Sequence, residues 1–244
     1  MAINLADVKK LRDATGAGMM DAKNALTEAE GDFEAAVELL RISGAAKMAK
    51  RADREASNGL VAGSGSTLIH LACETDFVAK NDEFVALADA LAKALADAGV
   101  VEAEAAADVK VASGDTATDA IAALSAKSGE KIELAGVATF DGDTVMYLHR
   151  RSQDLPPQVG VLVEYEGEDP EFVRGIAMQI AAMSPAYVSR EDVPEDVLEK
   201  ERHVAELTAR EEGKPEKIIP KIVEGRLNGF FKDVCLIEQG SVSD

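Results

Sequence analysis

His70 and Cys73 are the first pair in this chain that could do chemistry together, because a thiol beside an imidazole can be activated as a nucleophile. They stand three positions apart in STLIHLAC, residues 66–73, whose apolar run reads as a strand. An odd separation in a strand sends two side chains to opposite faces, so Cys73 reads as core. His149 ends a later strand beside Arg150 and Arg151 without a second base, nucleophile or ligand nearby, and His203 falls within a charged helix. Three scattered histidines and two cysteines, Cys73 and Cys235, far apart in sequence give no metal-ligand spacing. The glycine-dense piece, residues 59–66, joins strand to strand and lacks the helix start whose amides cradle a phosphate. These residues predict binding rather than catalysis.

The junction CETDFVAKNDEF, residues 73–84, places two acids, a hydroxyl and an aromatic where a strand gives way to a helix. Two readings of it stand. In the plain one Thr75 caps a short turn, Asn81 or Asp82 caps the next helix, and Phe77 enters the core. In the other, Phe77 is presented at a protein surface beside Asp76. A buried aromatic there contributes roughly 1.5–3 kcal/mol, and a carboxylate brought near a bound nucleotide and its magnesium disturbs the charge balance. Such a pairing suits displacement.

The elements that must position this junction are legible from periodicity. Leu5, Val8 and Leu11, then Met19, Met20, Ala22, Ala25 and Leu26, then Phe33, Ala36, Val37, Leu39 and Leu40 form three apolar stripes, broken at residues 15–18 and 30–32. They predict a three-helix domain over residues 1–44. Residues 45–58 lose the period and gather Lys47, Lys50, Arg51 and Arg54, which reads as a basic linker or exposed helical tether with a solvated face. Strands follow over residues 59–63 and 66–73, around Ser64 and Gly65, and over 131–140, 143–149 and 158–165. Helices are expected over 81–98, over 117–127 and from near Pro170. TLIHLACETDFVAKNDEFVALADALAKAL is echoed by VGVLVEYEGEDPEFVRGIAMQIAAM, each passing from strand through acidic turn to helix. The echo predicts an α+β core of two related halves, residues 59–140 and 141–187. The second copy has no counterpart of Thr75, Asp76 and Phe77, which marks the first turn as specialised. Residues 188–232 read as an inserted antiparallel helical hairpin, started by Ser189 with Glu191 and Asp192, seamed by Val197, His203, Val204 and Leu207, and turned at residues 213–215.

The 244 residues suffice for two or three folding units, and helix formers dominate while aromatics are only 4%, which favours close helix packing. The net charge of −19, from 26 basic and 45 acidic residues, argues against a broad grip on nucleic acid, which needs Lys and Arg against phosphates. A basic or apolar protein surface is the expected partner. The amino terminus lacks the pattern of a secretory signal, and no apolar run approaches the roughly 18 residues of a membrane span. A cytoplasmic protein with reduced thiols and no membrane contact is expected.

Taken in order, LRDATGAGMMDAKNAL with GDFEAAVELLR, then CETDFVAKNDEF, YLHRRSQDLPPQVGVLVEY and GKPEKIIPKIVEGRLNGFFKDVCLIEQ, resemble the bacterial translation elongation factor Ts family over almost the whole chain. The resemblance implies a ubiquitin-associated-like amino-terminal domain and a return strand of the second core half in residues 233–244. It implies a guanine-nucleotide exchange factor that binds elongation factor Tu, GDP-bound and nucleotide-free, and needs no cofactor. By resemblance Thr75, Asp76, Phe77 and Val78 dislocate magnesium, with Asp76 and Phe77 intruding beside the metal and between helices of the partner's nucleotide-binding domain. Leu11, Arg12, Met19, Met20 and His149 are the further partner-contact candidates. The family usually continues beyond this chain's SVSD ending, so a truncated second core half is expected.

Two other readings remain: a peptide or ubiquitin-like binding module centred on residues 1–44, and an enzyme using Cys73 or His149. Oligomeric state stays open, because the charged hairpin could meet a second copy, as a homodimer, or the partner.

Overall fold

Asn4 starts α1 (Leu5–Thr15) by accepting the Ala6 N–H on its side chain, and Gly16, left-handed at φ 68°, closes it. α2 (Met19–Glu28) and α3 (Phe33–Ala49) follow, and Val8, Leu11, Ala22, Ala25, Leu26 and Ala36 pack into one small core. The computed structural model describes residues 4–242, with backbone alone for residue 45 and residues 47–49; the side chain of Lys47 and residues 243–244, which sequence reasoning had placed in the basic cluster and the tail, lie outside the described residues.

The third helix does not stop near Gly44 but runs on to Ala49. A single helical glycine costs only about 1 kcal/mol relative to alanine, and the Ala-rich stretch after it restores the propensity. The linker is therefore short, and its arginines are bonded rather than merely solvated. Arg51 Nη1 donates to the Ser125 carbonyl at 2.9 Å, and Arg54 Nη1 to Glu74 Oε1 at 3.2 Å.

β1 (Asn58–Ser64) and β2 (Thr67–Cys73) form an antiparallel hairpin in which Ser64 faces Thr67, and β3 (Ile132–Thr139) pairs with the other edge of β2. Leu60, Ala62, Ile69, Leu71 and Cys73 alternate onto one face, where α4 (Asp76–Ala79), α5 (Asp82–Asp97) and α6 (Ala117–Ser128) cover them. Phe84, Leu91 and Leu95 supply the helical side of that core and are fully buried. β4 (Thr144–His149) and β5 (Val159–Glu164) make a second antiparallel pair that lies against the opposite face. Gly63 permits this approach: a Cβ there would stand 2.0 Å from Met146 Sδ. The Val61 N–H donates to the Pro157 carbonyl at 2.9 Å and ties the two sheets.

The chain divides into two units at residue 170, so the strands and the helix of the expected second core half fall in different units. The second unit contains α7 (Pro170–Met183), α8 (Glu195–Glu211) and α9 (Ile219–Val234). Ser189 and Asp192 do form a reciprocal cap, but it starts a single 3-10 turn, Arg190–Asp192, rather than the long helix. Val193 precedes Pro194, which disfavours helical backbone, and α8 begins only afterwards. The seam of the hairpin is Ala205 and Ala209 against Ile219 and Val223, while Val204 and Leu207 are exposed. In place of a return strand, Cys235 makes one parallel bridge to Tyr187 and leads into a 3-10 turn, Leu236–Glu238. Arg190 holds that turn by donating to both oxygens of Glu238, and it also donates to Asn228 Oδ1 at 3.0 Å. The architecture is α+β, and among the described residues no helix is long and apolar enough to cross a membrane.

Candidate functional site

Each residue of the junction after β2 has a separate task. Glu74 turns to its own scaffold: its Oε1 accepts the Lys131 backbone N–H at 2.6 Å and the Arg54 guanidinium, and these bonds hold its carboxyl below the usual range. Thr75 is the cap of α4, extended at φ −127°, and its hydroxyl accepts the Val78 N–H at 3.4 Å. Val78 packs against the core and Ala79 is fully buried. Asp76 and Phe77 face outward, and Phe77 is 80% exposed.

The plain reading of this turn is thus right about the caps, since Thr75 and Asn81 both cap helices, but Phe77 does not enter the core. That position belongs to Phe84. Phe84 lies on the buried face of α5, whereas α4 is a single turn that turns Val78 and Ala79 to the core, and β2 already directs Cys73 there at the point where the chain turns.

Lys80 sits on both outward residues. Its ammonium bonds Asp76 Oδ2 at 2.8 Å and stands 5.8 Å from the centre of the Phe77 ring. The lysine's hydrogen bond is the main cause of the lowered Asp76 pKa, so the carboxylate is charged at neutral pH. Behind the turn, burial and then the nearby Glu130 carboxylate push the Cys73 thiol up to about 12. Its Sγ donates to the Thr75 carbonyl at 3.2 Å, and it is inert as a nucleophile at neutral pH. His70 is exposed on the other face of the sheet from Cys73.

The turn is braced by a residue that sequence reasoning missed. Gly129, left-handed at φ 79°, ends α6, and Glu130 follows it. Glu130 Oε2 accepts the N–H groups of Glu74 at 3.1 Å and Thr75 at 3.0 Å, and Oε1 accepts the Thr75 hydroxyl at 2.6 Å. An acid just past a helix-ending glycine carries no signal of a partner so distant in sequence; only the pairing of β3 with β2 brings it there.

The remaining candidates are spread over the first unit. Leu11 is fully buried in the helical core, so its side chain is not available to a partner. Arg12 is half-buried and bonds Asp13 Oδ1 and Met19 Sδ, Met19 packs against the core, and Met20 is 66% exposed. His149 is exposed at the end of β4, with Nδ1 3.1 Å from the Tyr147 hydroxyl. Among the described residues no three His, Cys, Asp or Glu side chains converge on a point where they could hold a metal ion.

Known proteins match this chain along its length. The family profile described as elongation factor TS matches residues 74–244, which includes the whole of the turn from Glu74 onward. A protein of Cutibacterium acnes named elongation factor Ts is 64% identical over 244 residues, covering 100% of this chain and 90% of its own length. Proteins of the same name from Mycobacterium avium and Mycobacterium tuberculosis H37Ra are each 59% identical, covering 98% of this chain and 88% of their own. With a family match over most of the residues and relatives this similar from end to end, the chain belongs to the elongation factor Ts family.

Proposed function

We propose that this translation elongation factor is a guanine-nucleotide exchange factor for elongation factor Tu, and that the Thr75, Asp76, Phe77, Val78 turn carries the exchange. The observation that supports this reading is the orientation of Phe77, which is 80% exposed on a turn whose base is tied down. An exposed aromatic on a fixed turn gains roughly 1.5–3 kcal/mol when a partner buries it. That gain can be spent on parting two elements of the partner. Asp76 brings a negative charge to the same place, where it opposes the phosphates and competes for their counter-ion. Lys80, bonded to Asp76 at 2.8 Å, screens that charge in the free protein.

No bond is made or broken in this scheme, so the factor works as a ligand of the nucleotide-free state and not as an enzyme. Binding that weakens GDP promotes its loss, and GTP then loads and displaces the factor. The amino-terminal helices supply the docking contact through Met20 and Arg12, which are accessible where Leu11 is not. His149 lies on the accessible end of β4 and adds a second contact. The protein works in the cytoplasm, where its partner is found.

The test is the release of a fluorescent GDP analogue from purified elongation factor Tu. The wild-type chain accelerates release, and Phe77→Ala lowers the accelerated rate by about ten-fold or more, in the range expected when a contact made only in the productive state is lost. A wild-type chain that leaves the release rate unchanged sinks the exchange reading. Full acceleration by folded Phe77→Ala sinks the role of the turn.

A further inference from the structure

The turn that presents Asp76 and Phe77 is too short to hold itself. α4 is a single turn, its own cap bond from Val78 N–H to Thr75 is 3.4 Å long, and a helix of that length is unstable in water without outside support. The support comes from the loop between α6 and β3. Glu130 takes three bonds from the entry of the turn, two from successive backbone N–H groups on one oxygen and one from the Thr75 hydroxyl on the other. A carboxylate fits this task because it only accepts, and its two oxygens fix both the height and the rotation of the segment they hold. The bracing is reciprocal, since Glu74 accepts the Lys131 N–H at 2.6 Å from the same loop.

We propose that Glu130 is a positioning residue for nucleotide exchange, holding the Thr75 cap so that Asp76 and Phe77 meet the partner already in their working arrangement. The inference rests on the exchange reading above. A wedge that wanders must be ordered at the moment it inserts, and that cost falls on the displaced state rather than on the first encounter. Encounter is set by docking contacts away from the turn. Loss of Glu130 therefore lowers the rate of GDP release at saturating factor and spares the concentration that half-saturates it.

The experiment measures analogue release from elongation factor Tu across a concentration series of the full chain, for wild type, Glu130→Ala, Glu130→Gln and Phe77→Ala. Glu130→Ala lowers the saturated rate by about ten- to a hundred-fold, the scale of a small misplacement of a working group, with half-saturation within about two-fold of wild type. Glu130→Gln recovers much of the rate, because its amide oxygen still accepts the two N–H groups. Amide hydrogen exchange in the free chain reads the brace directly. In Glu130→Ala the Glu74 and Thr75 amides exchange about ten-fold faster or more while the β1–β2 ladder is unchanged.

A wild-type saturated rate in Glu130→Ala overturns the proposal, as does a loss expressed only in half-saturation, or a loss of protection that spreads into the ladder. If Phe77→Ala slows release and Glu130→Ala does not, the positioning role alone falls. If neither slows release, the reading of the turn falls and this inference with it.

Discussion

Phe77 and Phe84 flank the same cap, Asn81, and meet opposite surroundings: one is 80% exposed and the other is fully buried against the sheet. Their alanine variants separate function from folding. Phe84→Ala costs about 3–5 kcal/mol of unfolding free energy, the range for deleting a core aromatic, whereas Phe77→Ala stays within about 0.5 kcal/mol, as for surface positions. Urea unfolding of both checks the contrast, and it establishes that any loss of exchange in Phe77→Ala is not a loss of fold. Cys73 gives a second measurable consequence. Its thiol is raised from 9.0 to about 12 by burial, with Glu130 adding to the shift. Above pH 9 the unfolded chain gives up this proton and the folded chain keeps it, so the contribution is full below that pH and declines above it. Stability falls by up to about 1.4 kcal/mol per pH unit in that window on account of this group. Cys73→Ala removes one proton's share of the slope; a residual slope remains from Cys235, whose thiol is raised by burial as well. Unfolding midpoints from pH 8 to 10.5 report the difference.

At the level of elements, periodicity reads well where one face is apolar and large. The amino-terminal stripes and the alternation in β1 and β2 are of that kind, and α1, α2, β1 and β2 form where the spacing places them. The hairpin seam is less legible because its contact residues are small. Val204 and Leu207 carry more hydrophobic weight than Ala205 and Ala209, yet α8 packs on the alanines, which let its backbone come close to α9. Ala209→Leu is accordingly overpacked and costs about 1–3 kcal/mol, and Leu207→Gln is close to neutral, as calorimetry of the two variants reads. The sequence echo has a similar limit: Phe84 and Phe172 occupy matching places in the DEFV and PEFV helices, but the first is fully buried and the second 67% exposed. A shared pattern sets where a helix starts, and only the neighbouring elements decide which side chains it buries. The candidate site divides the same way. Its caps are visible in Thr75 and Asn81, whereas Glu130 and Arg54 reach it through the pairing of strands and the course of the linker, for which no local signal exists.

For the molecule as a whole, the proposed exchange activity is a coupling between two ligands of one partner. The chain carries a net charge of −19 and presents Phe77 on a braced turn, so the proposed reading assigns the effect on the nucleotide to contact at the turn and not to a basic surface gripping phosphate. Thermodynamic linkage then binds two measurements together. If saturating factor weakens GDP binding to elongation factor Tu by some ratio, GDP weakens binding of the factor by the same ratio. Calorimetric titration of the factor into nucleotide-free and GDP-loaded elongation factor Tu gives one side, and GDP titration with and without factor gives the other. The two ratios agree, at about 5- to 150-fold or beyond. Phe77→Ala lowers both together, because it removes a contact made in only one state. A variant at the amino-terminal face, Met20→Ala, weakens binding to both forms of the partner and leaves the ratio unchanged. A ratio that moves with Met20 and stays fixed with Phe77 would place the coupling in the helical domain instead of the turn.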